Sequence, residues 1–254
     1  MAVPIIAPAK GMRKFEFEQS KYEFLDGVLP TRMVCVGSSN SGKGIAVQSM
    51  ILDVFRGQWK RIYYFSKTAS IDHTLEPIEH YVRNVLKVPP EEEWKFEDWN
   101  PEVVRGIIDQ QKAIIRYQKK HNQTKLWQIC IVCDDMAGNI EIMRGKRGEA
   151  LRELFLMGRH YGISCIVTAQ KFRLLDTILR VNATYMIYFA ARSRIDLDAF
   201  LEENSNLAPG GKKQLEEIYK IATADPFSFL AVNMMTKDKS KIFMKFFESF
   251  LVPN

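Results

Sequence analysis

Continuous apolar runs alternate along this chain with segments in which apolar residues recur every three or four positions. The continuous runs predict buried strands, and the spaced pattern predicts helices that are apolar on one face. The predicted strands span 32–36, 61–66, 127–135, 163–169, 183–191 and 227–235. Strands that are apolar throughout are typical of parallel sheets with helices on both faces. The pattern therefore predicts an α/β fold built on a mainly parallel sheet.

Helix signals lie between these strands. A helical stripe of apolar residues ends at Gly57, a common position for glycine after a helix. A second helix is predicted from Asn100 to about residue 120, because its first residues are a capping asparagine, a proline and an acid. Further helices are predicted through 151–162, around 197–202 and over 213–221.

The remaining segments lack a clear period. Residues 1–31 contain three prolines, so we expect a surface arm there and a single domain over 32–254. Residues 67–100 contain prolines and an acidic run, and they predict an irregular excursion on the surface. The pattern at 241–247 predicts a hairpin at the edge of the sheet. Because no apolar run has the length of a membrane span or of a signal peptide, we expect a soluble intracellular protein.

The first strand leads into a loop bounded by Gly37 and Gly42, with Lys43 directly after it. This spacing matches a phosphate-binding loop, in which the glycines allow backbone N–H groups to point at phosphate oxygens. The lysine ammonium then reaches the β and γ phosphates. A glycine-rich turn into a helix is the weaker alternative. The predicted ATP-binding residues are Gly37, Ser38, Ser39, Asn40, Ser41, Gly42, Lys43, Gly44 and Ile45.

Gly44 departs from the usual pattern of such loops. The residue after the lysine is normally serine or threonine, whose hydroxyl binds Mg²⁺. The sequence therefore lacks one expected metal ligand. It favours nucleotide binding, whereas hydrolysis needs separate evidence.

A second motif consists of the apolar strand at 127–135 and the two acids that end it, Asp134 and Asp135. Acids at the carboxyl end of such a strand lie where α/β proteins bind ligands. Asp134 is the predicted Mg²⁺ ligand, and Asp135 is predicted to orient and deprotonate the attacking water. A strand that merely ends in a polar turn is the alternative, and the nearby phosphate-binding motif makes it weaker.

Lys43 and Asp134 are far enough apart in the sequence for the strand at 61–66 and a long helix to lie between them. We therefore expect a strand to be inserted between the strands that carry these motifs, as in the RecA-like (ASCE) branch of P-loop NTPases. In that branch a polar sensor of the γ phosphate ends the strand beside the acidic motif. Gln170, which follows the strand at 163–169, is the predicted sensor.

Charge and cysteine content narrow the class of protein further. The net charge of +6 permits an acidic partner such as nucleic acid, although solubility alone would also account for it. Cys130 and Cys133 have the spacing of a redox or zinc motif, but within a strand their side chains would point to opposite faces. We expect free thiols in a reducing compartment, since every cysteine lies in an apolar run: Cys35, Cys130, Cys133 and Cys165.

Over Arg32 to Asn233 the sequence resembles the FtsK/HerA superfamily of ring-shaped DNA-pumping ATPases. Four further segments match in order: Gly145-Lys146-Arg147, Arg159-x-x-Gly162-Ile163, Thr168-Ala169-Gln170 and Ser193-Arg194-Ile195-Asp196. The short length, the Asp-Asp pair and the run at 158–164 most resemble the poxvirus-type genome-packaging ATPases of large DNA viruses and virophages. We expect no nuclease-like domain after the ATPase, and this expectation argues against a tailed-phage terminase. Asn40, where a glycine is usual, and Gly44 depart from the family pattern.

This resemblance implies a translocase that uses ATP and Mg²⁺ to move double-stranded DNA into a preformed capsid. It also implies a homo-oligomeric ring, a pentamer or hexamer, with capsid proteins as further partners and no membrane. The expected location is the host cytoplasm or a viral factory, or an association with the virion.

The resemblance also suggests residues for two further roles. Arg159 is the candidate arginine finger for the γ phosphate of a neighbouring subunit, with Arg192 and Arg194 as alternatives. A cation favoured by the helix dipole is the other interpretation of Arg159. The basic loop after the acidic motif is the candidate DNA contact, with a solvated loop as the alternative. Its cations are Arg144, Lys146 and Arg147.

Two other functions stay open at this point. With Gly44 in place of a Mg²⁺ ligand, the protein could be a nucleotide-binding assembly or scaffold factor with weak or no hydrolysis. A small-molecule kinase is less favoured, because the sequence has no lid of clustered arginines. Hydrolysis measured with and without duplex DNA separates these functions, since DNA should stimulate a motor alone.

Overall fold

A computed structural model describes residues 14–22, 25 and 29–252. Most of the predicted arm, including residues 1–13, lies outside the described residues. The described part of this segment packs against the domain, since Ser20 donates a hydrogen bond to the carbonyl oxygen of Val54 at 2.9 Å and Leu29 is buried.

The strands, in chain order, are β1 Glu16–Phe17, β2 Arg32–Val36, β3 Arg61–Ser66, β4 Lys95–Phe96, β5 Lys125–Leu126, β6 Ile129–Asp134, β7 Ile163–Ala169, β8 Tyr185–Phe189, β9 Phe229–Asn233, β10 Phe243–Lys245 and β11 Ser249–Phe250. The α-helices are α1 Lys43–Ser49, α2 Glu76–His80, α3 Pro101–Lys120, α4 Ile140–Met143, α5 Glu149–Tyr161, α6 Thr177–Asn182, α7 Arg194–Asn204 and α8 Gly211–Ala222. A π-helical turn, Met50–Val54, continues α1.

The main sheet has the strand order β11-β10-β9-β8-β2-β7-β6-β3-β4. The strands from β8 to β4 are parallel to their neighbours, whereas β9, β10 and β11 add an antiparallel edge. This confirms the predicted α/β fold with a mainly parallel sheet. The edge hairpin predicted at 241–247 is present but extends later, over β10 and β11. The short strands β1 and β5 form a separate parallel pair.

The strand inserted between the two nucleotide motifs is β7. The strand at 61–66 lies between the two motifs in the sequence. In the sheet, however, this strand is β3 and lies on the outer side of β6. β7 pairs with β2 on one side and with β6 on the other. The inserted strand therefore comes after the acidic motif in the sequence, and the sensor position Gln170 follows it directly.

Helices cover both faces of the sheet, which gives two apolar cores. In β2, Val34 and Val36 face one core, and Met33 and Cys35 face the other. Cys133 and Cys130 divide between the same two cores, as predicted from their spacing. Burial raises the pKa of every cysteine thiol, to about 12 for Cys35. These cysteines therefore behave as small core residues.

The prediction of an irregular surface excursion at 67–100 was wrong. The segment contains α2, a π-helical turn over Tyr81–Val85, and the edge strand β4. Ile78, Val82 and Trp94 are buried in the core beside α1. The prolines do not prevent this, since Pro77 lies in the first turn of α2, where its missing N–H has no helical partner.

Predicted helix boundaries were most accurate where capping residues mark them. Asn100 accepts hydrogen bonds from the backbone N–H groups of Glu102 and Val103, and α3 runs from Pro101 to Lys120. α5 ends at Gly162, whose φ is 70°. Besides α2, the short helices α4 and α6 were not predicted. Within 14–22, 25 and 29–252, no helix combines the length and the apolar character of a membrane span.

Candidate nucleotide-binding site

Parallel strands bring the predicted site residues to one edge of the sheet. β2, β6 and β7 all end there, so the loop from Gly37, the acids Asp134 and Asp135, and Gln170 meet although they are distant in the sequence. This edge is where open α/β sheets bind ligands.

The phosphate-binding loop depends on close packing at its start. A Cβ at Gly37 would lie 2.5 Å from the Ser41 hydroxyl oxygen and 2.8 Å from Cβ of Phe189, so no other residue fits there without movement. Gly42 has a φ of 98°, and Asn40 has a φ of 61°. Asparagine tolerates this left-handed conformation better than most residues, which explains how Asn40 replaces a glycine.

Lys43 lies at the first position of α1, directly after the loop. Its ammonium donates a hydrogen bond to the carbonyl oxygen of Ser38 at 3.1 Å, so the side chain folds back over the loop. Gly44 is exposed and has no heavy atom within 4 Å of the position that a Cβ would occupy. The loop therefore has space for a hydroxyl side chain that the sequence does not supply.

Thr168 connects the two acids. Its hydroxyl donates to a carboxylate oxygen of Asp134 at 2.6 Å and accepts from the backbone N–H of Asp135 at 2.8 Å. Burial raises the pKa of Asp134 above its ordinary value of 3.8, although hydrogen bonds from Thr168 and Tyr64 partly oppose this. A cation near this carboxylate would favour its charged form.

Asp135 has a φ of 50°, in the left-handed region. The side-chain amide of Gln170 donates to both of its carboxylate oxygens, at 3.2 and 3.0 Å. The predicted sensor and the predicted catalytic acid are thus in direct contact. A γ phosphate bound at the loop would meet both groups together.

A cavity of about 530 Å³ joins the loop to the acids. Its walls include Lys43, Asp134 and Asp135, together with Ser66 and Thr68 at the end of β3. Mg²⁺ prefers oxygen ligands, and the side chains beside Asp134 offer carboxylate and hydroxyl oxygens. The donor set therefore fits Mg²⁺ without a hydroxyl at position 44.

The two alternative arginine fingers have partners within their own chain. Arg192 donates to the carbonyl oxygen of Ser39 in the phosphate-binding loop at 3.4 Å. Arg194 forms ion pairs with Asp198 at 3.0 Å and Glu216 at 2.7 Å, and these hydrogen bonds raise its pKa. Arg192 is thus placed next to its own nucleotide site, whereas Arg194 is held by two carboxylates.

Arg159 lies in the last turn of α5, which ends just before β7 begins. It is therefore at the opposite edge of the sheet from its own phosphate-binding loop, separated by the length of a strand, roughly 20 Å. Its side chain is exposed, and its guanidinium contacts His160 at 3.3 Å. From this position Arg159 can reach a phosphate only on another molecule.

The basic loop between β6 and α5 lies at the nucleotide edge, but its three cations differ. Arg147 is half-buried and donates to Asp98 at 2.7 Å and to the carbonyl oxygen of Trp99 at 2.6 Å. Arg144 is exposed and contacts the carbonyl oxygen of Arg173 at 3.4 Å, and Lys146 is exposed. Arg147 therefore fixes the loop, while Arg144 and Lys146 extend into solvent.

Asp196 is a site residue whose role the sequence did not reveal. It is buried at the start of α7 and accepts from the backbone N–H groups of Phe172 and Arg173, at 3.0 and 3.1 Å. Tyr188 also donates to it at 3.0 Å. Asp196 thereby holds the segment that follows Gln170. In the sequence, Asp196 and Thr168 stand out only as parts of segments that match the family. Their roles could not be predicted, because their hydrogen-bond partners are distant in the sequence.

The strand order and the site together define a RecA-like P-loop NTPase. The profile of the family described as Poxvirus A32 protein matches residues 18–226, so the chain belongs to this family. The resemblance to poxvirus-type ATPases inferred from the sequence is confirmed.

Solved structures with the same fold include a viral NTPase. Two structures of the genome packaging NTPase B204 from Sulfolobus turreted icosahedral virus 2 are similar to this chain, with ATP-gammaS (16% identity, TM-score 0.54) and with AMP (17%, 0.57). Each match covers 85% of this chain and 96% of B204.

The cytoplasmic domain of the Type VII secretion ATPase EccC from Thermomonospora curvata is similar at 13% identity and a TM-score of 0.50, covering 80% of this chain and 24% of that one. These likenesses establish the fold. A comparison with curated proteins found no match.

Proposed function

We propose that this protein is an ATPase that drives double-stranded viral DNA into a capsid. The observation that carries the proposal is the meeting of Lys43, Asp134, Asp135 and Gln170 at one sheet edge, in a chain of the poxvirus A32 family. B204, which shares the fold, is a genome packaging NTPase whose structures contain nucleotide analogues. This supports ATP as the nucleotide.

Different groups of the site act in different parts of the hydrolysis reaction. Backbone N–H groups of the loop and the Lys43 ammonium bind phosphate oxygens and stabilise charge that develops on them. Asp135 orients the attacking water and accepts its proton. Gln170, which touches both oxygens of Asp135, links the γ phosphate position to this acid and to the segment that Asp196 holds.

Mg²⁺ would be held by Asp134, with hydroxyl groups of Ser66 and Thr68 in the same cavity. When bound, the ion neutralises phosphate charge. Because magnesium usually keeps several waters, a water can take the place of the hydroxyl missing at Gly44. We therefore expect hydrolysis with a high Mg²⁺ requirement.

Arg144 and Lys146 are proposed to contact DNA phosphates, because they project from a loop at the nucleotide edge. Such contacts are insensitive to base sequence and weaken strongly with salt. Replacing both by alanine should flatten the slope of log affinity against log salt by roughly two units per engaged subunit, at about 0.9 per contact. Arg147→Ala would disturb the loop itself, since Arg147 holds Asp98 and Trp99. An unchanged slope in the double variant would show that the loop does not touch DNA.

We propose that the motor is a ring in which Arg159 of one subunit acts on the nucleotide of the next. Its distance from its own loop leaves a neighbouring subunit as the partner. The family resemblance adds three further parts to this proposal. The ring is a pentamer or hexamer, capsid proteins are partners, and the protein is located in the cytoplasm, the viral factory or the virion.

Gly44 favours one second candidate, a nucleotide-binding scaffold factor with little hydrolysis. Steady-state hydrolysis of ATP, with and without duplex DNA, separates the two. We expect turnover that DNA stimulates, binding weakened by Lys43→Ala, and binding retained without turnover in Asp135→Asn. ATP binding with no turnover in the wild-type protein would instead support the scaffold factor.

A further inference from the structure

A second cavity, of about 690 Å³, opens beside the phosphate-binding loop. It lies toward β8 and β9, whereas the acids lie toward β6. Gly42, Ile45 and Ala46 form one wall, so the cavity begins where the loop meets α1. Most of its remaining lining is aromatic and includes Phe189, Phe227, Phe229, Phe246 and Phe247.

Phe227 is unusual in this group. Its side chain is 68% exposed, although phenylalanine is normally buried. Its φ of 62° lies in the left-handed region, where a bulky residue is strained. A Cβ at Gly42 would lie 3.6 Å from both Cβ and Cδ1 of Phe227. The chain thus holds an exposed aromatic ring beside the phosphate-binding loop in an unfavourable backbone conformation.

Phe246, across the same cavity, shows the same strain. Its φ is 53°, and its backbone N–H donates to the carbonyl oxygen of Phe229 at 3.2 Å. Its ring packs edge-on against Phe229, with centroids 5.3 Å apart. Strained residues of this kind persist where the surrounding structure enforces them, and they cluster at ligand sites. Two of them on one cavity point to a ligand.

We propose that this cavity binds the purine base of the nucleotide whose phosphates lie on the loop, with Phe227 as its stacking partner. The proposal rests on the proposed function. An aromatic cavity wall suits a base, since aromatic rings stack on the π-face of any base. Ser49, Asp53 and Glu248 supply polar groups in the walls for the ring nitrogens and exocyclic groups. One nucleotide would thus span both cavities.

The test compares ATP with inorganic tripolyphosphate, which has the phosphates without the base. Binding of each is measured by calorimetry for the wild-type protein and Phe227→Gly. Glycine removes the ring and relieves the left-handed strain, so the variant should fold. Tyr117→Ala, which removes an exposed aromatic ring on α3, is the matched control.

We expect Phe227→Gly to weaken ATP binding about tenfold or more and to leave tripolyphosphate binding unchanged. Tyr117→Ala should change neither. In Phe227→Trp, ATP should quench the new tryptophan fluorescence, and tripolyphosphate should not.

Three outcomes would overturn the proposal in different ways. If Phe227→Gly prefers ATP over tripolyphosphate as strongly as the wild-type protein does, the base site alone is rejected. If Phe227→Gly changes only the assembly state, the apolar cavity is a subunit contact. Failure of the wild-type protein to bind either ligand would overturn the proposed function, and the base site with it.

Discussion

Asp134 and Asp135 are adjacent in the sequence but occupy different surroundings. Asp134 is enclosed at the end of β6 and accepts from Thr168, whereas Asp135 turns outward through a left-handed backbone to meet Gln170. Such strain is typical of functional sites. At the scale of single residues, the surroundings of Asp134 therefore fit a metal ligand, and those of Asp135 fit a group that accepts a proton.

The raised pKa of Asp134 has a consequence for stability. Its carboxyl holds its proton to higher pH in the folded protein than in the unfolded chain, so deprotonation destabilises the fold as the pH rises above about 3.8. Asp134→Asn should remove this effect and raise the Tm without nucleotide, more at about pH 8 than at about pH 3. Thermal melts measure it, with the exposed Asp109→Asn as control. A lower Tm for Asp134→Asn at pH 8 would contradict the assignment.

Gly44 predicts how the enzyme depends on magnesium. Gly44→Thr should lower the Mg²⁺ concentration needed for half-maximal hydrolysis, because it adds a ligand where open space exists. Gly106→Thr is a matched control, since Gly106 also lies in a helix with no atom near its Cβ position. An identical Mg²⁺ titration for Gly44→Thr and wild type would mean that the ion lies elsewhere.

At the scale of elements, β7 organises the site. It pairs with both motif strands, supplies Thr168 to the acids and ends at Gln170. The next segment is then fixed by Asp196 from α7. The sensor is therefore attached at one end to the acids and at the other to a helix.

Much of this arrangement could be predicted because its signals are local. Strands β2, β3 and β7 and helix α3 follow from apolar runs and a capping asparagine, and the two motifs mark the loop and the acids. The helices at 76–85 were missed although Ile78, Tyr81 and Val82 recur at helical spacing, because Pro77 was interpreted as a break and not as a first-turn residue. The contacts of Thr168, Asp196, Arg192 and Phe227 depend on tertiary packing, which no local pattern encodes.

The support from Asp196 can be measured directly. Asp196→Ala should cost about 3 kcal/mol in the free energy of unfolding, because it leaves two backbone N–H groups and the Tyr188 hydroxyl without an acceptor. Asp198→Ala, on the same helix but in an exposed ion pair, should cost much less. Denaturant titration compares them, and equal losses would reject this role for Asp196.

At the scale of the whole molecule, the candidate residues lie at two opposite edges of the sheet. The predicted nucleotide site and the loop proposed to contact DNA lie at one edge, and Arg159 lies at the other. A single subunit therefore carries the proposed phosphate-binding residues and, far from them, an exposed arginine. In a ring, Arg159 of one subunit would come next to the phosphate site of its neighbour, and the net charge of +6 permits a polyanion as a partner.

Mixing two inactive variants tests this arrangement. Arg159→Ala should keep its ATP affinity and lose hydrolysis. Asp135→Asn should do the same, because it lacks the carboxylate that accepts the proton of the attacking water. In an equal mixture roughly a quarter of the interfaces would combine an intact Asp135 with an intact neighbouring Arg159, and a similar share of activity should return. Absence of rescue, in mixed assemblies shown by size and mass to form, would place the catalytic arginine elsewhere.

The central claim is that ATP hydrolysis moves the protein along duplex DNA, and displacement of a triplex-forming strand tests it most directly. A third strand bound to a long duplex should be released when wild-type protein and ATP are added. Release should be faster when free duplex beside the third strand is accessible to the protein. Asp135→Asn should bind ATP and release no strand. Hydrolysis by the wild-type protein with DNA present but no strand release would contradict the account.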